Sequence, residues 1–272
     1  MKANKVRLDL LLVERALAPT REKAKSLLMS GQVFIDGVRR DKAGFMVDPQ
    51  VEITIKGRGL PFASRGGFKL EKALKVFNID VKDKVVADLG ASTGGFTDCL
   101  LKAGASKVYA IDVGYGLLDY KLREDERVIV MDRTNARYLT PEQFDPLPDL
   151  VSIDLSFISL ELVLPAVNSI LDPHGQVVTL IKPQFEAGPQ NIKGGVVHDP
   201  LVHEMVLNKF VNFCQDNQLH IINWDFSPIK GPAGNIEFLA HLEKGATQED
   251  IRDSIKALVE RSWREAKTHP EN

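Results

Sequence analysis

From residue 84 onward short apolar runs alternate with helical stretches, and no other feature of the chain restricts its fold so strongly. The expected strands are Val85–Leu89, Lys107–Asp112, Val128–Met131, Leu150–Asp154, Val177–Lys182, Ile221–Phe226 and Glu237–Leu242. Helical segments separate most of them. Such alternation predicts an α/β domain built on a doubly wound, mostly parallel sheet. Ligands of such sheets bind at the carboxyl ends of the strands. Asp88, Asp112, Asp154 and Lys182 fall at or near those ends, on four different strands.

The first strand runs into Asp88-x-Gly90-x-x-x-Gly94-Gly95, followed by a helix. This is not the dinucleotide fingerprint GxGxxG, whose amides meet a pyrophosphate, and the P-loop lysine is missing. Gly90, Ala91, Ser92, Thr93, Gly94, Gly95 and Phe96 form the expected loop, with bare backbone at Gly94-Gly95 for a ligand to press against. Asp88 would repel an anion and welcome a cationic amino-acid group. Asp112 follows about 20–25 residues on, where a carboxylate takes ribose hydroxyls. Asp132 and Arg133, after the third strand, are placed to flank an adenine. A ribose, a purine, an amino-acid tail and no phosphate describe S-adenosylmethionine, and the spacing resembles the methyltransferase version of this fold. The competing reading is a glycine-rich turn of structural use alone, which leaves Asp88, Asp112 and Asp132 unexplained as a set.

The 272 residues suggest two domains. Residues 1–60 carry 12 Lys and Arg against 7 Asp and Glu, while the remainder carries 23 against 30. A basic head on an acidic body points to a polyanionic partner; an unevenly charged solvated surface is the plain alternative. Leu8, Leu11 and Leu12 recur at helical spacing until Pro19. Thr20 can cap a second helix that Gly31 stops. Asp36-Gly37 predicts a tight hairpin turn, and Val51, Ile53 and Ile55 alternate as in a strand. Arg7, Arg21, Lys23, Lys25, Arg39, Arg40 and Lys42 are then available on the outside. The stretch "RLDLLLVERALAPTREKAKSLLMSGQVFIDG" resembles the RNA-binding module named after ribosomal protein S4, over about residues 6–58. That resemblance implies RNA held through phosphates by the basic residues as a group. Glycines and a proline over Gly57–Pro61 read as a linker, so the expected domains are 1–60 and 61–272. Ser64 to Gly67 lead into a helix that buries Phe68, Leu70, Ala73 and Leu74 and puts Lys69 in its first turn, which the helix dipole disfavours.

Lys69 in "RGGFKL", Asp154 in "SIDLSF", Lys182 in "LIKPQF" and Glu237 in "GNIEF" resemble the Lys-Asp-Lys-Glu tetrad of the FtsJ-type ribose 2′-O-methyltransferases. Amino methyltransferases typically carry Asn/Asp-Pro-Pro-aromatic after the fourth strand; this chain has Asp-Leu-Ser-Phe. A ribose hydroxyl needs a base within reach, and a protonated lysine cannot serve. Burial and a second ammonium nearby favour the neutral amine, so Lys69 and Lys182 are expected to depress one another. Lys182 is the expected base, with Asp154 and Glu237 orienting the pair. "SRGGFKLEKAL", "DLGASTGGFTDCLL", "AIDVGYGLLDYKLR", "SIDLSFISL" and "IKPQFEAG…KGGVVHDP" together resemble the TlyA family, from about residue 5 to 245. Its members, long called haemolysins, are two-domain rRNA cytidine 2′-O-methyltransferases. The resemblance implies a Rossmann-like seven-stranded sheet, S-adenosylmethionine, ribosomal RNA and its subunits as partner, and no metal.

"PQFEAGPQNIKGGVVHDP" is long and rich in glycine and proline, and reads as a lid over the acceptor nucleotide. His198 within it reads as a surface or capping residue. A closing helix is expected over about 246–266. Cys99 and Cys214 lack metal or disulfide spacing and fit a reducing cytoplasm. Asp9, Glu14 and Arg15 interrupt what would otherwise be a signal peptide, and no run approaches the roughly 18 apolar residues of a membrane helix. Two other readings stay open: a membrane-active haemolysin, and a protein that binds RNA and S-adenosylmethionine without turnover.

Overall fold

A computed structural model describes residues 5–29, 31–55, 61–245 and 251–268. The chain divides into two units, Met1–Arg65 and Gly66–Asn272. Residues 57–60 of the expected linker and residues 246–250 of the expected closing helix lie outside the described residues.

In the first unit β1 (Val6–Arg7) leads into α1 (Leu8–Glu14), and α2 (Arg21–Met29) follows. Thr20 caps α2: its Oγ1 accepts from Lys23 N at 3.2 Å. β2 (Val33–Ile35), β3 (Val38–Arg39) and β5 (Ile53–Ile55) form an antiparallel sheet in the order β3-β2-β5, and β4 (Met46–Val47) pairs with β1. Asp36 and Gly37 join β2 to β3 with φ of 49° and 79°. Both residues are left-handed, as a two-residue hairpin demands, which is why Asp-Gly stands there. Leu8, Leu11, Leu12, Ala24, Leu28 and Val33 fill the core. Asp9 is buried beside them, with Arg7 Nε at 3.0 Å and Arg21 Nε at 2.8 Å. Those two guanidiniums hold its carboxyl well below the usual carboxylate range.

The second unit starts with α3 (Gly67–Val76). Lys69 lies in its first turn as expected, on the buried face with Leu70, Ala73 and Leu74. The strands are β6 (Val85–Leu89), β7 (Lys107–Ile111), β8 (Val128–Met131), β9 (Leu150–Ile153), β10 (Gln176–Ile181), β11 (Leu219–Phe226) and β12 (Phe238–Lys244). Among the described residues they make one seven-stranded sheet, ordered β11-β12-β10-β9-β6-β7-β8. β12 is reversed relative to the other six and slots between β10 and β11, antiparallel to both. The strands adjoining β6 and β9 are buried on both faces, hence their continuous Val, Leu and Ile. α4 (Gly95–Lys102), α5 (Tyr120–Arg123), α6 (Leu164–Ile170), α7 (Pro183–Glu186), α8 (Pro200–Asp216) and α9 (Ile255–Thr268) complete it. α9 closes on α8 through Leu258 and Val259 and through Trp263, whose Nε1 donates to His203 Nδ1 at 2.9 Å. Burial lowers the His203 pKa to about 4, so the ring is a neutral acceptor. No described helix is long and apolar enough to cross a membrane.

Candidate active site

The four tetrad residues converge from remote parts of the chain. Lys69 Nζ lies 2.6 Å from Glu237 Oε2 and 3.9 Å from Asp154 Oδ2. Lys182 Nζ lies 2.6 Å from Asp154 Oδ1. Asp154 therefore stands between the two lysines, and each amino group has a carboxylate at 2.6 Å. Lys69, Lys182 and Glu237 are buried, at 7%, 7% and 1% exposure, so these charges meet with little water between them. The expected mutual repulsion of the lysines is thus answered by the acids that separate them. Glu237 precedes β12, and Gly231 passes so close to it that a Cβ there would stand 2.5 Å from Oε1.

The sequence reading missed Ser156. Lys182 Nζ donates to its Oγ at 3.0 Å. Ser156 lies in the motif "SIDLSF", but a serine on a loop announces no chemistry until its neighbour is known.

The glycine loop differs from expectation in which way its parts face. Gly94 has φ 95°, and a Cβ there would meet Leu122 Cδ1 at 2.2 Å and Leu118 Cδ1 at 2.9 Å. Gly90 has φ 87°, and its Cβ would meet the Asp154 carbonyl oxygen at 2.7 Å. At both positions the loop packs so closely against protein that a side chain would not fit. Asp88 is likewise beneath the loop. It is fully buried, and accepts from Thr97 Oγ1 at 2.6 Å and Ser152 Oγ at 3.2 Å. Burial pushes its carboxyl up to about 7 despite those hydroxyls. The expected contact between Asp88 and a cationic tail is therefore corrected: the side chain braces β6 against α4 and β9. Ala91, Gly95 and Phe96 are buried, whereas Ser92 and Thr93 are exposed at the loop's crest.

Asp112 stands at the end of β7 as expected. Its Oδ2 accepts from Ser92 N and its Oδ1 from Gly114 N, each at 2.8 Å. That anchors the loop crest to the carboxylate and leaves lone pairs for a hydroxyl donor. Asp132 is engaged by Arg123 Nη1 at 3.0 Å, a partner not expected. Arg133, at φ 54°, lays its guanidinium over the exposed Tyr115 ring, 4.5 Å from the centroid.

The loop after Lys182, expected to be a lid over the acceptor, is internally tied. It contains α7, and Lys193 and Val196 bridge across Gly194-Gly195. Asn235, buried at 1% exposure, accepts from Val197 N at 3.0 Å and donates to Gly195 O at 2.8 Å. His198 is exposed, as expected.

In the first unit the basic residues are not all equally available. Arg7 and Arg21 are committed to Asp9, although their side chains keep 41% and 45% exposure. Arg40 lies over the Phe45 ring at 4.6 Å. Lys23, Arg39 and Lys42 are exposed, and Lys25 is half-buried. Two of the seven are thus paired with an acid inside α1 while staying on the surface.

Comparison with known proteins follows this division. Residues 62–244 match the FtsJ-like methyltransferase model, and residues 6–53 match the S4 domain model. A 16S/23S rRNA (cytidine-2′-O)-methyltransferase named TlyA, from Mycobacterium tuberculosis, is 43% identical over 258 residues, covering 94% of this chain and 95% of that one. The chain belongs to the TlyA family of FtsJ-like methyltransferases. A TlyA-like relative in Bacillus subtilis, named as a candidate rRNA methyltransferase, YqxC, is 49% identical over 273 residues, covering 98% and 97% of the two chains. Among solved structures, a candidate hemolysin from Streptococcus thermophilus aligns with a TM-score of 0.80 at 48% identity, covering 99% of this chain and 100% of its own. The TlyA architecture thus extends over nearly all of the sequence.

Proposed function

We propose that this chain transfers a methyl group from S-adenosylmethionine to a ribose 2′-hydroxyl, that of a cytidine, in ribosomal RNA. The carrying observation is the buried Lys69–Glu237 and Asp154–Lys182 cluster at the carboxyl ends of the sheet, beside the glycine loop. The relatives named as rRNA cytidine-2′-O-methyltransferases support the substrate class.

The donor set fits the cofactor. Asp112 offers a carboxylate anchored by two backbone amides, suited to ribose hydroxyls, and the loop before α4 holds no lysine for a phosphate. Asp112, the exposed crest at Ser92 and Thr93, and Arg133 with Tyr115 would hold it. When bound, S-adenosylmethionine supplies a methyl group already activated as a sulfonium. No metal is needed for that chemistry.

The protein's own task is to move one proton and align the hydroxyl. In this proposal Lys182 Nζ, as the free amine, takes the hydroxyl proton. The ammonium so formed rests against Asp154 Oδ1 and Ser156 Oγ, both already in place. Lys69 stays charged between Glu237 and Asp154 and keeps Asp154 from turning away. The basic surface of the first unit supplies RNA affinity through phosphates, and ribosomal subunits in the cytoplasm are the partner.

Mass spectrometry of rRNA from a strain lacking the gene tests this. A ribose methyl on cytidine should be missing, and purified protein with S-adenosylmethionine should restore it on subunits from that strain. Unchanged rRNA, or a missing methyl located on a base, would overturn the proposal.

A further inference from the structure

Glu186 ends α7, four residues after Lys182. Its carboxylate reaches across to the loop that follows β9. Oε2 accepts from Ser159 Oγ at 2.6 Å and Oε1 from Leu160 N at 2.8 Å. Burial raises its carboxyl above the usual range, although both donors and Lys209 pull the other way. Taking a carboxyl group out of water to secure a surface loop is unfavourable unless that loop must be secured.

The secured segment is Leu155–Ser159, the direct continuation of Asp154. It is under backbone strain: Phe157 has φ 65° and is 91% exposed. A bulky residue in the left-handed region persists only where its surroundings enforce it. Contacts to the Lys182 stretch do so at three points. Ser156 Oγ meets Lys182 Nζ at 3.0 Å, the Phe157 ring lies 5.1 Å from that of Phe185, and Glu186 holds the far end. Of the three, the Glu186 contact has two hydrogen bonds to a carboxylate, the strongest type available. Releasing it lets the strained turn relax and carries Ser156 off the amine.

We propose that Glu186 is a positioning residue for the transfer reaction, locking the Leu155–Ser159 segment against the Lys182 stretch so that Ser156 Oγ stays on the base. This rests on the methyltransferase function proposed above.

The test is steady-state methyl transfer to ribosomal subunits from the deletion strain, with S-adenosylmethionine affinity and melting temperature measured alongside. Glu186→Ala should lower kcat on the order of 10–100-fold, the scale of a misplacement near 1 Å, with the KM for S-adenosylmethionine unchanged. Glu186→Gln keeps an oxygen for Leu160 N and should recover most of the rate. Ser159→Ala removes half of the same contact with a smaller volume change, and covers the case in which Glu186→Ala fails to fold. In a Ser156→Ala background Glu186→Ala should cost little more, because both act through one contact. Wild-type kcat in Glu186→Ala and Ser159→Ala, or full additivity with Ser156→Ala, would overturn the assignment while leaving the enzyme's function intact. Wild-type protein that transfers no methyl would instead overturn the function on which the assignment rests.

Discussion

Gly94→Ala separates two accounts of the glycine loop. If the missing Cβ made room for a ligand, alanine would weaken S-adenosylmethionine and leave the apoprotein alone. The geometry states the opposite. The Cβ would stand 2.2 Å from Leu122 Cδ1 and 2.9 Å from Leu118 Cδ1, and both leucines are buried. Forcing a methyl into such packing costs about 1–3 kcal/mol. The backbone at φ 95° adds about 1–2 kcal/mol for any L-residue. The sum, about 2–5 kcal/mol, should lower the melting temperature by about 4–20 °C for a unit of this size. S-Adenosylmethionine affinity should fall as a consequence, since α5 and the loop crest are linked through Asp119 N and Thr93 O at 3.3 Å. Adding Leu122→Ala opens the space, so the double variant should be more stable than the sum of the two single changes, by about the packing part of 1–3 kcal/mol. The backbone part stays. Scanning calorimetry with and without ligand reads all of this. An unchanged melting temperature with lost binding, and no relief from Leu122→Ala, would refute the packing account and return Gly94 to the ligand face.

Lys182→Arg should lose about 10²–10⁴-fold in transfer, because a guanidinium keeps its proton, while S-adenosylmethionine still binds; transfer at the wild-type rate would show that another group takes the proton. Asp9→Ala should cost the first unit about 1–3 kcal/mol, less than a fully buried pair since both arginines can rehydrate; hydrogen exchange in α1 and α2 would report it, and unchanged exchange would count against the Arg7–Asp9–Arg21 arrangement. Asp88→Asn tests the buried carboxyl. With its folded pKa raised to about 7, wild-type Asp88 contributes most while protonated, fully below its unfolded pKa, and that contribution fades as pH rises through about 7. The stability gap between wild type and Asp88→Asn in urea should therefore shrink by about 2 kcal/mol from about pH 5.5 to about pH 8, and a constant gap would show that the carboxyl is not so perturbed.

What could be read from the sequence was what local rules encode. Asp36-Gly37 declares a left-handed turn, Thr20 a cap, and the strands were bounded to within a residue or two by runs of Val, Leu and Ile. Asp154 and Lys182 were legible as polar residues at strand ends, whereas Lys69, on a helix, and Glu237 were picked out only by the resemblance of their motifs to the FtsJ-type tetrad. What was not legible depended on direction and distant partners. A glycine signals a missing Cβ but not where it would point, so the close packing of Gly94 on Leu118 and Leu122 was not legible. Asp9 reads as a solvated helix residue until Arg21, twelve positions on, closes over it. The loop after Lys182 looks loose by composition because its pin, Asn235, lies 38 positions beyond Val197.

The reversed strand β12 also carries a consequence for how the protein comes into being. Lys69 and Glu237, joined at 2.6 Å, are separated by 168 positions, and Glu237 arrives just ahead of the final strand. During translation Lys69, Asp154 and Lys182 emerge while the far edge of β10 still waits for its neighbour. A nascent chain can hold most of the sheet and still lack the acid that neutralises Lys69. Up to that point Asp154 and Lys182 can already pair, but Lys69 has no Glu237 to meet. A late frameshift would remove the chemistry while leaving the RNA-binding head already made.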